Sequence, residues 1–145
     1  MPVVIRKASF VIIEDVLTKE EQAALIKFTL QYETEFEPSF IIQTGTNQRI
    51  INPTRRRARV LYNTGIYNVL MRDRIYALLP SVFKKLEHPQ IPISTIETRI
   101  TASNNGDFFK IHNDNTPDLN SSRELSFVYY FYHEPKAFSG GELRI

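Results

Sequence analysis

The nine residues from Glu124 to Tyr132 carry the strongest β-strand signal in this sequence of 145 residues. Most of them are aromatic or β-branched, and such residues suit the pleated surface of a sheet. Because side chains alternate between the two faces of a strand, the segment predicts two different surfaces. The apolar surface contains Leu125, Phe127, Tyr129 and Phe131. The other surface carries hydroxyl groups suited to lining a polar pocket, and it contains Ser126, Val128, Tyr130 and Tyr132.

A second β-rich region lies upstream of this segment. Residues 95–102 are rich in β-branched side chains and predict a strand. The dipeptide Asn105-Gly106 that follows is a strong signal for a tight hairpin turn. Residues 107–111 then predict the second arm of this hairpin.

His112 and Asp114 stand at the end of that second arm. Side chains two residues apart on a strand point to the same face, so an imidazole and a carboxylate would converge there. These are two of the three ligands in the 2-His-1-carboxylate triad that binds non-haem Fe(II). A surface hydrogen-bonded pair is the alternative, and it would be the simpler interpretation if the flanking sequence were ignored.

The N-terminal part predicts a helix with a defined start. A strand over residues 9–14 leads to Thr18, and Thr18 with Glu21 forms a capping box. Leu25 and Phe28 provide the apolar stripe of the helix.

The next segment, residues 33–54, predicts a long irregular loop, and loops of this length often contact substrates. A strand is predicted at residues 56–62, and a helix at residues 67–79. Pro80 either ends that helix or opens a second one.

Composition restricts the class of protein. The length fits one domain, and the net charge of +2 favours neither nucleic acid nor membrane as a partner. The chain has no cysteine, which excludes disulfides and is compatible with a reducing cytoplasm. No apolar run reaches the length of a membrane span, and the N-terminus lacks the apolar core of a signal peptide. We therefore expect a cytoplasmic location.

A cluster of arginines allows two interpretations. Arg55, Arg56 and Arg57, with Arg59 and Arg49 nearby, could bind an anionic substrate or nucleic acid. A solvated strand with alternating arginines is the simpler interpretation, because a basic run alone is a weak signal.

Three blocks in fixed order resemble the iron- and 2-oxoglutarate-dependent dioxygenases of the prolyl 4-hydroxylase type. The blocks are residues 105–114, 123–131 and 138–145. The resemblance implies an α+β protein with a double-stranded β-helix, or jelly roll, and N-terminal helices packed on one of its sheets. Residues 1–94 would be a helical support region and residues 95–145 the first strands, within a single domain whose later strands are absent from this chain.

The resemblance also implies roles for individual residues. His112 and Asp114 would bind Fe(II), Tyr130 would donate a hydrogen bond to the 2-oxoglutarate carboxylate, and Val128 would pack against this cosubstrate. Ascorbate is a further cofactor that the resemblance admits. The implied reaction hydroxylates an unactivated C–H group, of a prolyl or other amino-acid side chain in a peptide or of a small molecule. A tyrosine that often contacts the cosubstrate in this family is replaced here by Ala102.

The family's second metal-binding histidine, and the cation that pairs with 2-oxoglutarate, would lie beyond Ile145. We expect His133 to be a turn residue rather than a replacement ligand. The chain alone is accordingly expected to be inactive, with open sheet edges covered by a second copy or by a complementary fragment. Two other classes stay open: a non-catalytic binding or assembly module, and a cupin-type metalloprotein that does not use 2-oxoglutarate.

Overall fold

Two α-helices and a set of short antiparallel strands form an α+β structure in the computed structural model, which describes residues 8–115 and 122–145. The α+β class predicted from the sequence is thereby confirmed. The described residues do not form a closed barrel, so the predicted jelly roll is not seen in them.

The first helix, α1 (Lys19–Gln31), begins where the sequence predicts. The Thr18 side chain accepts a hydrogen bond from the Glu21 amide at 3.1 Å, and Glu21 accepts one from the Thr18 amide at 2.9 Å. This reciprocal pair satisfies amide groups that have no partner within the helix. Leu25 is buried and Phe28 packs against the core, as the predicted apolar stripe requires. A short 3₁₀ helix (Glu33–Glu35) follows.

The second helix, α2 (Ile66–Lys85), is longer than predicted. It continues through Pro80, so neither predicted boundary at this residue is correct. Proline removes one helical hydrogen bond, which costs about 3 kcal/mol in a helix interior. Buried residues on both sides of it, Met71 and Phe83, anchor the helix by packing and offset this cost.

Seven strands are assigned within the described residues, and each is two or three residues long. They are β1 (Glu37–Pro38), β2 (Ile41–Ile42), β3 (Arg49–Ile50), β4 (Arg56–Arg57), β5 (Arg59–Leu61), β6 (Ile100–Ala102) and β7 (Phe108–Phe109). Three sheets result, with the orders β1-β5-β6, β2-β3 and β4-β7, all antiparallel. The predicted loop at residues 33–54 therefore contains short paired strands, and the predicted strand at 56–62 is confirmed with an interruption at Ala58.

The predicted hairpin is wrong in its pairing. β6 and β7 do not pair with each other; β6 pairs with β5, and β7 pairs with β4. Residues 100–109 thus run antiparallel to residues 56–61, and residues 103–107 form a loop opposite Ala58. A turn does form there, because the Asp107 amide donates to the Asn104 carbonyl at 3.0 Å and Gly106 adopts φ +79°. The dipeptide signal identified the turn but not the partners of its arms.

Two further predicted strands, at residues 9–14 and 124–132, are not assigned in the structure. A strand requires a hydrogen-bonded neighbour, and no described residues pair with these segments. One face of the segment at 124–132 nevertheless behaves as predicted, since Tyr129 and Phe131 pack against the core.

The core lies between the two helices and the sheet that contains β5 and β6. It is formed by buried side chains, namely Leu17, Leu25, Leu61, Tyr67, Met71 and Ile100. Arg74 connects α2 to the start of α1, donating to the Val16 carbonyl and to the Glu21 carboxylate, both at 2.6 Å. Neither helix among the described residues is long and apolar enough to cross a bilayer.

Candidate metal site

His112 and Asp114 meet immediately after β7. The Nε2 atom of His112 lies 3.1 Å from Oδ1 of Asp114. The backbone that carries them is fixed by the pairing of β7 with β4, and the Lys110 amide extends this pairing by donating to the Arg55 carbonyl at 3.0 Å. The structure therefore brings the two predicted ligands together.

Two contacts fix the orientation of the His112 ring. Its Nδ1 atom lies 2.8 Å from the Lys110 carbonyl oxygen, which can only accept a hydrogen bond. The proton is thus placed on Nδ1, and Nε2 is turned towards Asp114. The ring also stacks on Phe109, with ring centroids 3.5 Å apart and planes 13° from parallel. A carbonyl bonded to the second nitrogen is the usual partner of a metal-binding histidine.

Asp114 is oriented by Ser126. The Ser126 hydroxyl donates to Oδ2 of Asp114 at 2.5 Å, which leaves Oδ1 on the side of His112. Both side chains of the pair are partly exposed, 32% for His112 and 48% for Asp114, so a metal ion can reach them.

The backbone after the pair is held in a turn that brings the next segment close. The Asn115 amide donates to Oδ1 of Asn113 at 3.1 Å, and the Asn115 side chain donates to the Arg123 carbonyl at 2.6 Å. Residues 123–126 are thereby placed beside His112 and Asp114, which we call the metal pair.

The spacing of the two ligand atoms fits a metal ion. Imidazole nitrogen and carboxylate oxygen bind a divalent metal such as zinc at about 2.0–2.2 Å. Two such atoms in adjacent positions at right angles are then about 2.9 Å apart, close to the 3.1 Å between Nε2 and Oδ1. Within residues 8–115 and 122–145, however, no group of three potential metal-binding side chains occurs. His112 and Asp114 can supply two ligands, and the third must come from elsewhere.

Arg56 carries a positive charge close to the site. Its guanidinium lies 4.6 Å from the centroid of the Phe109 ring, and its Nη1 donates to the Phe40 carbonyl at 3.2 Å. Burial lowers the pKa of Arg56; the charge of Arg99 lowers it further, and Tyr62 and Asp114 oppose this effect. An arginine still stays protonated at neutral pH, so Arg56 is a fixed cation near the metal pair.

Tyr130 and Val128, the predicted cosubstrate contacts, are both more than half exposed. They follow Ser126 at intervals of two residues, so in an extended chain they share its face. That face is the one that contacts Asp114. On the other face, burial raises the pKa of Tyr129, with smaller contributions from the charges of Glu21 and Asp15. The roles of Tyr130 and Val128 remain predictions.

Two contacts of the site were not predicted. Ser126 and Phe109 were assigned to strand faces from the sequence, without a role beside the metal pair. The alternation over residues 124–132 contained a signal for Ser126, because it grouped this hydroxyl with Tyr130 on the polar face. No sequence signal identified the stacking of Phe109 on His112.

Comparison with known proteins finds a relative of this chain. The chain is 36% identical over 135 residues to an uncharacterized PKHD-type hydroxylase of Synechocystis sp.. The match covers 92% of this chain and 42% of that protein, so the chain spans less than half the length of its relative. No family model matches the sequence, and no solved structure matches it.

The chain is therefore similar to a PKHD-type hydroxylase over nearly its whole length. The resemblance to the prolyl 4-hydroxylase-like family, which was predicted from three sequence blocks, is confirmed by this relationship over nearly the whole chain.

The geometry of the site predicts that Ser126 supports metal binding. We expect Ser126→Ala to weaken Fe(II) binding by about ten- to a hundred-fold, because a partner that orients a metal-binding carboxylate has effects of this size. Binding would be measured anaerobically by titration calorimetry on the full-length protein. Ser139→Ala, which removes an exposed hydroxyl outside the site, is the matched control. Equal affinities in the two variants would show that Ser126 does not position Asp114.

Proposed function

We propose that this protein is part of an Fe(II)- and 2-oxoglutarate-dependent oxygenase that hydroxylates an unactivated C–H group of a prolyl or other amino-acid side chain. One observation carries the proposal: an imidazole and a carboxylate lie 3.1 Å apart, each oriented by a further contact. The relationship to a PKHD-type hydroxylase supports the same class of reaction.

Bound iron and 2-oxoglutarate would supply the oxidative chemistry, in which O2 and 2-oxoglutarate are consumed and succinate, CO2 and the hydroxylated product are released. The residues of this chain perform simpler tasks. His112 and Asp114 hold two of the coordination positions. Ser126 and the Lys110 carbonyl keep the two ligands from rotating away.

Tyr130 and Val128 are proposed to receive the cosubstrate. In an extended segment both would share the face of Ser126, whose hydroxyl contacts Asp114. A phenol at Tyr130 can donate a hydrogen bond to a carboxylate, and its exposure leaves it accessible to one. Val128 would provide an apolar surface beside it.

The remaining parts of the site are proposed to come from outside the described residues. These are the third metal ligand, the cation that pairs with the far carboxylate of 2-oxoglutarate, and the strands that would complete a jelly roll. Residues 1–94 would then support the first strands, at residues 95–145. We further propose a peptide or small-molecule substrate and a cytoplasmic location, the latter because the chain has no cysteine.

The first prediction of this proposal concerns the metal pair. In the full-length protein, His112→Ala or Asp114→Ala should abolish Fe(II)-dependent succinate formation, because each removes a ligand and the remaining ones bind Fe(II) weakly. Succinate formation and iron content would be measured together. His133→Ala is the control and should retain both. Normal iron content and turnover in both site variants would contradict the assignment, and loss of both in His133→Ala would make His133 a ligand.

The second prediction concerns Tyr130. Tyr130→Phe should raise the apparent KM for 2-oxoglutarate by about ten-fold or more, since a hydrogen bond to a charged group contributes about 1.5–3 kcal/mol. The fold should be intact, because the ring is kept. Steady-state rates at varied 2-oxoglutarate would measure the effect, with Tyr132→Phe as the matched loss of a hydroxyl. An unchanged KM would show that the Tyr130 hydroxyl does not contact the cosubstrate. Turnover that requires 2-oxoglutarate would exclude the rival class, a metalloprotein that does not use 2-oxoglutarate.

A further inference from the structure

A cleft of about 240 Å³ has three arginines in its walls. We call it the arginine cleft; its polar lining includes Arg56, Arg57, Arg59, Ser39, Asn104 and Asp107. Arg56 connects it to the metal pair, because this side chain lies over the Phe109 ring and that ring stacks on His112. The wall of the cleft is therefore linked to His112 through the Phe109 ring.

Two donors at the wall of the cleft are not used by the described residues. Ser39 is only 3% exposed, and its Oγ atom has no hydrogen-bond partner in the described parts of the chain. The Nε atom of Arg59 is buried and lacks a partner there as well. A buried donor without a partner is destabilising. An acceptor that entered the cleft, with a small rotation of these side chains, would remove that cost.

The charged residues around the cleft favour one kind of hydrogen-bond acceptor. Arg57 lies near Asp107, with Nε and Oδ1 3.8 Å apart, and Arg59 donates to Glu33 at 2.6 Å. No carboxylate within residues 8–115 and 122–145 forms an ion pair with the third arginine, Arg56. The charge of Asp114 acts on Arg56 without forming an ion pair with it, so this guanidinium has no direct carboxylate partner there. A carboxylate that entered the cleft could supply that partner.

The size of the cleft also favours a single carboxylate group. Sites for whole small-molecule ligands commonly have volumes of about 300–1,000 Å³, and the arginine cleft is smaller than this. It fits one side chain or one chain terminus. Guanidinium groups bind carboxylates through two parallel hydrogen bonds, which gives directional recognition.

We propose that the arginine cleft binds a carboxylate of the substrate, supplied by an acidic side chain or by a C-terminus. That the bound molecule is a substrate rests on the proposed hydroxylase function; the carboxylate site itself rests on the cleft alone. The substrate would then be a peptide with an acidic group close to the residue that is hydroxylated. The arginine run would thereby recognise an anion, an interpretation that the sequence left open.

Binding can be tested without turnover by following arginine Nε–H signals by NMR in the isotope-labelled full-length protein. The probes are N-acetylaspartate amide for a side chain, N-acetylglycine for a terminus, neutral N-acetylasparagine amide, and inorganic phosphate. We expect the signals of Arg56 and Arg59 to shift in a saturable way with a carboxylate and not with the neutral amide. Whichever carboxylate binds more tightly identifies the source.

Three variants make the test specific. Arg59→Gln and Ser39→Ala should each weaken carboxylate binding by about ten-fold. Ser39→Ala should leave the Tm unchanged or raise it, because it removes a hydroxyl that has no partner. Arg72→Gln on α2 removes the same charge outside the cleft and should leave the affinity unchanged.

The proposal is overturned if neither carboxylate gives saturable shifts, if phosphate binds more tightly, or if Arg72→Gln weakens binding as much as Arg59→Gln. Carboxylate binding in a protein without hydroxylase activity would contradict only the proposed function. Hydroxylase activity without carboxylate binding would contradict only the present inference.

Discussion

Antiparallel pairing of residues 56–61 with residues 100–109 is the interaction on which the candidate metal site and the arginine cleft both depend. The pairing of β4 with β7 fixes the backbone that carries His112 and Asp114, and it also places Arg56 over Phe109. The pairing of β5 with β6 joins this region to the core through Leu61 and Ile100. The short loop at residues 103–107, opposite Ala58, then supplies Asn104 and Asp107 to the cleft.

The metal pair shows how a weak sequence motif becomes a defined arrangement. The two residues lie after the end of β7, and flexible side chains alone would not keep them together. Here three contacts restrain the two side chains. His112 is held by the Lys110 carbonyl and the Phe109 ring, and Asp114 is held by the Ser126 hydroxyl. Ligands that are oriented in advance lose less entropy when they bind a metal. This preorganisation supports the proposal that the pair binds a metal.

Local signals in the sequence predicted local structure well. The capping box at Thr18 and Glu21 was correct because its contacts lie within three residues. Pairing of strands was predicted wrongly, because it depends on distant segments: the Asn105-Gly106 turn formed, yet its arms pair with β4 and β5. The segment at 124–132 has strand composition but no partner among the described residues, so only its apolar face was confirmed, through Tyr129 and Phe131. Helix α2 continues through Pro80 because packing outweighs propensity.

The central claim is that this chain supplies two ligands of an iron site that also binds 2-oxoglutarate. The most direct measurement is an anaerobic titration of the full-length protein with Fe(II) and then with 2-oxoglutarate, followed by visible absorption. We predict that a weak metal-to-ligand charge-transfer band will appear only when both are present, because 2-oxoglutarate must chelate the bound iron. Fe(II) binding without any such band would contradict the account, and so would a band of equal intensity in a variant that lacks both His112 and Asp114.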